Sequence, residues 1–378
     1  MLVTAGRPEP DAGKGRTSLH VLGLRSFPRT QGGVERHCEA LYPRLDADID
    51  VTVYRRRRYV TEKGDYPHIR FVDLPSTKIR GFETVWHSFL ATVRAMAAKP
   101  DIVHVHNIGP GLFSFLLRWR GIPVVLTYHS PNYEHAKWGW FGRLVLRLGE
   151  RVALSNARRI IFVNRFQMEK YPEAIRSKSE WIPNGIEMPE RPVGGAFLEK
   201  FGLEPRRYVL TVGRITPEKG LETLIRGFSA ASHAGFKLVI AGSSEFENRY
   251  LEKLQGMAGP DVVFTGSAFG GDLAELYANA ALFVLASNNE GFPLVILEAM
   301  SYGLDLLASD IPATHLVDLE PGDYFPRGDA AILSGKIAER LAAPRTRSYD
   351  LSQYDWNRIA AATVQVYRKA LGQAPAKL

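Results

Sequence analysis

Two kinds of segment alternate along the chain. Short β-branched runs recur at 19–24, 49–54, 69–74, 101–106, 122–128 and 159–163, and again at 208–213, 237–242, 262–266, 281–286 and 305–309. Segments of helical length separate most of them, among them 32–45, 83–98, 140–156, 219–232, 272–280 and 293–302. Near-continuous apolar strands alternating with helices predict parallel sheets, because a strand covered on both faces has no polar side to show. A chain of 378 residues holds two domains of ordinary size, so two sheets are expected rather than one. The Pro- and Gly-rich stretch "WIPNGIEMPERPVGG" (181–195) reads as the linker between them.

Composition narrows the class. No apolar stretch approaches the roughly 20 residues needed to span a bilayer. Residues 1–17 are polar and rich in Gly and Pro; without an apolar core they read as a disordered leader rather than a secretory signal. Cys38 is the only cysteine, which excludes an intrachain disulfide and a cysteine-based zinc site. A cytoplasmic location is expected. The net charge of +8 points to a polyanionic partner: nucleic acid, an anionic membrane surface or phosphorylated small molecules.

Sheets of this kind hold ligands at the carboxyl ends of their strands, where strand order reverses. The loop after the first strand, "RSFPRTQGGVERH" (25–37), is not a dinucleotide fingerprint, and "VGRITPEKG" (212–220) is not a P-loop, since Gly220 follows Lys219. Arg214 and Lys219 stand where a strand ends and a helix is expected near 219. Two cations beside a helix start suit a pyrophosphate; the competing reading is a pair of surface cations. In "NNEGFPLVILEAM" (288–300), Pro293 suits a first helical turn. The amides near Gly291, Phe292 and Leu294 would then face an anion. Glu290 precedes that turn, where an acid can also serve only as a dipole partner. Glu298 lies about two turns on, placed to accept from vicinal hydroxyls such as a ribose, or to sit in a buried ion pair. Gly32 and Gly33 open a helix where backbone can approach a ligand. His104 and His106 share one face of a strand; a metal pair is conceivable, but core histidines are the preferred reading. His129 falls just past a strand end, where an imidazole could touch a substrate.

Together "GGVERH", "VHVHN", "TYHS", "IPNGI", "VGRITPEKG", "AGSS", "FTG" and "EGFPLVILEAMSYG" resemble the retaining glycosyltransferases of family 4, from about residue 18 to the end. The most specific match is Glu290 and Glu298 with seven residues between them, the family's E-x7-E motif. "YHSPNYEHAKWG" and "LRLGE" are similar to a bacterial subgroup that builds surface polysaccharides. The resemblance implies the α/β architecture called GT-B. In it two Rossmann-like domains, expected at 18–190 and 191–354, face each other across a cleft, and a final helix at about 355–378 returns to the first domain. It also implies that Arg214 and Lys219 hold the donor diphosphate, with Gly32, Gly33, Gly291, Phe292 and Leu294 supplying close backbone. Glu298 would bind the nucleotide ribose, Glu290 the donor sugar, and His129 would face sugar and acceptor. "YGLDLLAS" departs from the family where many members carry Pro near Asp305, a change expected to touch strand geometry and not chemistry.

The expected activity is therefore transfer of a sugar, with retention, from a UDP-, GDP-, ADP- or dTDP-sugar to a glycan or lipid-linked acceptor in polysaccharide synthesis. Cations and helix amides would stabilise the departing diphosphate. No Asp-x-Asp metal motif stands out, so no metal and no obligatory cofactor are expected. A nucleotide-sugar 2-epimerase of the same architecture is the alternative. A basic nucleic-acid binder lacks any helix-turn-helix or RNA-binding signature, so no nucleic-acid partner is expected. "YRRRRY" (54–59) and the helical stretch 137–159, with Lys137, Trp138, Trp140 and Phe141 among five arginines, suit peripheral contact with the anionic inner leaflet of the plasma membrane. The competing reading is a solvated face.

Overall fold

A computed structural model describes residues 15–374 except 29, 31, 63, 78–81, 132, 134–138, 190–194 and 245–247. The expected leader lies outside the described residues as far as 14, and Thr17 already opens a strand. The described residues divide into two compact units, one within Met1–Asn184 and Trp356–Leu378, the other Gly185–Asp355.

The first unit carries β1 (Thr17–Leu22), β2 (Ile49–Arg56), β3 (Ile69–Leu74), β4 (Ile102–His106), β5 (Val124–Tyr128), β6 (Arg159–Phe162) and β7 (Ser179–Trp181). They form one sheet in the order β3-β2-β1-β4-β5-β6-β7, with every pairing parallel. Its helices are α1 (Gly33–Leu41), α2 (Phe82–Ala98), α3 (Ser114–Trp119), α4 (Trp140–Asn156), α5 (Arg165–Glu169) and α6 (Glu173–Arg176). The second unit carries β8 (Tyr208–Val212), β9 (Lys237–Ala241), β10 (Val262–Gly266), β11 (Leu282–Leu285), β12 (Asp305–Asp310) and β13 (Tyr324–Pro326) in the parallel order β10-β9-β8-β11-β12-β13. Its helices are α7 (Ala196–Lys200), α8 (Leu221–Ala230), α9 (Asn248–Met257), α10 (Gly270–Asn279), α11 (Leu294–Ser301) and α12 (Ala330–Ala342). The final helix α13 (Trp356–Leu371) returns to the first unit and buries Trp356, Ile359, Val364 and Tyr367 in its core beside Leu19, Val21 and Val51.

All eleven expected strands are present, and two more appear. β7 and β13 have three residues each and lie at sheet edges. An edge strand that short shows no run of apolar residues, and β13 ends in Pro326, which an edge tolerates. β7 also takes Trp181 out of the expected linker, and Ile182 lies in the first core.

Two further readings change. "YRRRRY" is not a solvated basic run, because β2 carries its first half into the sheet. Arg55 is buried, donating to both Asp73 oxygens (Nε 2.7 Å, Nη2 3.0 Å) and lying 4.0 Å over the Phe71 ring. Arg56 is buried beside Glu83, and only Arg57 and Arg58 are exposed. Asp305 does more than shape a strand. It is buried at the start of β12 and pairs with Arg340 (3.3 Å), Arg345 (3.1 Å) and Arg347 (3.6 Å), while buried Asp323 pairs with Arg340 (3.0 Å) and Arg347 (2.7 Å).

Candidate functional site

In the second sheet, β8 is followed outward by β9 and β10 on one side, while β11, β12 and β13 run outward on the other. Strand order reverses between β8 and β11, where such sheets receive ligands. The loop after β8 carries Arg214 and Lys219, and the loop after β11 carries Glu290. The two loops are tied: Asn288 N–H donates to Glu218 O at 2.7 Å. They also run very close. A Cβ on Gly220 would stand 2.0 Å from Ala286 O, and its φ of +62° is a left-handed conformation that favours glycine.

Lys219 does not begin a helix. It ends a short 3₁₀ turn, Pro217–Lys219, and α8 starts after Gly220 at Leu221. Its ammonium donates to Glu290 Oε1 at 2.6 Å, and the same oxygen accepts from Ser287 Oγ at 2.7 Å. Both charged side chains are largely shielded, at 17% and 12% exposed. Arg214 is exposed and makes no ion pair among the described residues. α11 begins at Leu294, with Pro293 at its cap. The Leu294 amide donates to Phe292 O (3.0 Å) and the Ile296 amide to Pro293 O (2.9 Å), whereas Phe292 and Val295 donate to no backbone carbonyl among the described residues. Of the three amides singled out in sequence, that of Leu294 is therefore already engaged. The Phe292 ring is buried against Tyr354, with centroids 6.2 Å apart. Glu298 is buried on α11 and accepts from Tyr277 OH at 2.7 Å, with the Tyr302 ring stacked on Tyr277 at 5.4 Å. Tyr277 and Ser287 were not singled out in sequence: Tyr277 reaches Glu298 from α10, a meeting that leaves no spacing to read, and Ser287 is a lone serine three residues before Glu290 in the same loop, where it marks no motif.

In the first sheet the order reverses between β1 and β4. After β1, Gly32 caps α1 at φ 145°, where a Cβ would stand 2.0 Å from Glu35 Oε2. Gly33 opens the helix. Glu35 is buried and accepts from the Arg25 amide (3.0 Å) and Nε (3.2 Å), which fastens the loop to the helix. His104 and His106 on β4 are fully buried, with ring centroids 4.3 Å apart. His104 is a core residue held by Tyr42 OH (3.0 Å), Tyr367 OH (2.7 Å) and Thr127 Oγ1 (2.7 Å). His106 Nε2 meets Tyr42 OH, and its Nδ1 lies 3.0 Å from His129 Nε2. His37 on α1 completes the cluster, its centroid 4.9 Å from that of His129. Burial drives the pKa of His37 down to about 4, partly opposed by its hydrogen bond to Asn184, and that of His104 to about 3. Burial, reinforced by neighbouring histidines, also lowers His106 and His129 well below the ordinary value. The cluster is neutral at pH 7, so His129 presents an imidazole and not a cation.

The comparisons agree with this architecture. The family model described as Glycosyltransferase Family 4 matches residues 31–188, and that described as Glycosyl transferases group 1 matches 206–343. The chain is 24% identical to the GDP-mannose:cellobiosyl-diphosphopolyprenol alpha-mannosyltransferase of Komagataeibacter xylinus, over 96% of either chain. It is 26% identical to the phosphatidyl-myo-inositol mannosyltransferase of Mycobacterium leprae, over 93% of this chain and 92% of that one. Among solved structures, sucrose-phosphate synthase from Thermosynechococcus elongatus superposes with a TM-score of 0.78 at 24% identity, covering 94% of this chain and 100% of that chain. Two Rossmann-like units with parallel sheets make the fold GT-B, and the chain belongs to the family 4 glycosyltransferases, enzymes that transfer a sugar from a nucleotide-sugar donor.

Proposed function

We propose that the chain transfers its sugar with retention to a lipid-linked glycan acceptor, in the building of a polysaccharide. The observation that carries the donor assignment is the shielded Lys219–Glu290 pair at the switch point of the second sheet. Lys219, with exposed Arg214, holds the donor diphosphate; Glu290 turns to the donor sugar. The amides around Gly291 and Phe292 face the phosphate, Glu298 takes the ribose hydroxyls, and in the first unit Gly32, Gly33 and His129 serve phosphate, sugar and acceptor. The acceptor hydroxyl attacks the anomeric carbon from the leaving-group side. The bond from that carbon to the diphosphate oxygen breaks, and the diphosphate takes the hydroxyl proton. Charge grows on the diphosphate as the bond breaks, so a preorganised cation helps the transition state more than the ground state. The Komagataeibacter xylinus relative is named for GDP-mannose and the Mycobacterium leprae relative as a mannosyltransferase, which makes GDP-mannose the first donor to test against UDP-, ADP- and dTDP-sugars. A glycoside formed only when acceptor is present supports transfer; donor turnover to an epimer without acceptor rejects it.

The two acids separate by titration calorimetry with the bare nucleoside diphosphate. Glu298→Ala is expected to weaken nucleotide binding by about tenfold or more, as for loss of a charge-assisted hydrogen bond. Glu290→Gln leaves that affinity near wild type and loses turnover, since the bare nucleotide has no sugar to hold. Equal losses of affinity in both variants contradict the split.

No helix among the described residues is long and apolar enough to cross a membrane. One face of the first unit suits contact with a membrane surface instead. α4 turns Leu146, Ala153 and Leu154 inward, and Gly149 lets it lie against Ile108 O, which a Cβ would approach to 2.9 Å. Its outer face sets Trp140, Leu144 and Leu148 (79%, 57% and 52% exposed) beside exposed Arg143, Arg147 and Arg151. Neighbouring α3 adds Trp119, 77% exposed. Lys137, Trp138 and the side chain of Phe141 lie outside the described residues, and Arg158 and Arg159 fall beyond the helix. Exposed apolar and basic side chains in one stripe fit the interface of an anionic leaflet. The chain is expected to sediment with strongly anionic liposomes at low salt and to release as salt rises; protein that stays in the supernatant with such vesicles overturns the membrane reading.

A further inference from the structure

The histidine cluster of the first unit has a property that sugar transfer does not require. His37 Nδ1 lies 2.7 Å from Asn184 Oδ1. An amide oxygen accepts, so Nδ1 carries the imidazole proton and Nε2 holds a bare lone pair. That Nε2 is buried and has no hydrogen-bond partner, in a side chain only 4% exposed. A nitrogen lone pair shut away from water and protein donors needs an explanation. His106 Nδ1 and His129 Nε2 face each other at 3.0 Å, and one ligand nitrogen from each of His37, His106 and His129 lies within 4.8 Å of the others.

We propose that these three histidines bind a divalent d-block cation of the zinc type. Zinc sits about 2.0–2.1 Å from imidazole nitrogen in tetrahedral sites, which sets nitrogen pairs about 3.3 Å apart. The His106–His129 pair, at 3.0 Å, is already near that spacing, and only His37 must close in. The chemistry balances without a stranded proton. Binding takes the lone pairs of His37 Nε2, His106 Nδ1 and His129 Nε2. His106 then carries its proton on Nε2 and donates to Tyr42 OH, and Tyr42 in turn donates to His104 Nδ1. His104 Nε2–H donates to Thr127 Oγ1. Asn184 fills the outer role that carbonyls and carboxylates play for metal-bound histidines, fixing tautomer and ring orientation. Three protein ligands leave a fourth position open. The expectation from sequence was no metal, with His104 and His106 as the only pair considered. The site instead uses His106 without His104, with partners 69 residues before it and 23 after it. Cation binding would also withdraw His129 from the sugar; that consequence alone rests on the role given to His129 above.

The test uses the full chain, stripped with a chelator and titrated with Zn²⁺ alone, with Co²⁺ as a spectroscopic substitute. A single ion per chain is expected, with the intense visible absorption of four-coordinate Co²⁺. His37→Gln and His106→Gln should each weaken Zn²⁺ binding tenfold or more and abolish that absorption. Asn184→Asp puts a carboxylate behind His37 and should tighten binding, by up to the ten- to hundredfold that outer partners command; this arm holds even if a histidine variant misfolds. No Zn²⁺ binding by the wild-type chain, or binding that neither His37→Gln nor Asn184→Asp alters, overturns the proposal. Zinc binding that leaves sugar transfer unchanged keeps the site and rejects the assigned role of His129 instead.

Discussion

Lys219→Ala is expected to lower the rate of transfer by about 10²–10³-fold, the usual cost of removing one preorganised group that stabilises developing negative charge. The expectation rests on where the ammonium sits. It ends a turn capped by Gly220, in the loop after β8, shielded to 17% exposure and aimed at Glu290. A cation so placed has little water to lose when charge builds on the diphosphate, so its effect is concentrated in the transition state. Two effects must be told apart, because the same change leaves Glu290 without its cation and still accepting from the Ser287 hydroxyl. Circular dichroism and the melting temperature of the variant show whether the loop survives. Arg214→Ala provides the contrast. It is exposed without an ion pair among the described residues, so its removal disturbs nothing in the fold and should cost only the contact with the nucleotide. That contact is on the order of 1.5–3 kcal/mol for a charge-assisted hydrogen bond. Calorimetry with GDP and UDP reads it directly. Unchanged nucleotide affinity in both variants would remove the diphosphate assignment.

The largest expected loss of stability is far from that loop. Asp323→Ala should destabilise the second unit by about 3–5 kcal/mol, because it strips one carboxylate from a buried network and leaves its cations in place. Asp323 is fully buried and receives Arg340 and Arg347 at 3.0 and 2.7 Å. Both arginines also reach Asp305, so Asp305 is left as the one buried acid for Arg340, Arg345 and Arg347, with only the exposed Glu320 beside it on Arg347 (2.9 Å). The melting temperature should fall by roughly 6–20 °C for a unit of this size. Asp310→Ala is the matched control: its pair with His315 is exposed and should be worth at most about 1 kcal/mol. A loss in Asp323→Ala no greater than in the control would show that the network contributes little.

The architecture could be read from the chain because parallel strands declare themselves. Val103, Val125, Val209 and Val284 sit in runs buried on both faces, and such runs must be largely apolar at successive positions. The edge strands β7 and β13 escaped because an edge has one neighbour and needs no such run. α4 was legible to the residue, 140–156, yet which of its leucines face outward was not. Leu146 and Leu144 are the same residue type two positions apart, and only the sheet beneath decides that one is buried and the other 57% exposed. The four arginines of "YRRRRY" make the same point in reverse. Charge predicts solvent, but β2 carries Arg55 into the interior, where Asp73 and the Phe71 ring compensate it.

The sequence by itself determined the alternation of strands and helices and the two motifs that mark the switch point of the second sheet. Periodicity and spacing are local, and they persist however the chain is later packed. Only the tertiary structure decided the partnerships: Lys219 with Glu290 across 71 residues, Tyr277 with Glu298, and His37 with Asn184 across 147. A hydrogen bond is set by distance and direction in space. Residues that meet through separate loops of a parallel sheet leave no record of the meeting in their order along the chain.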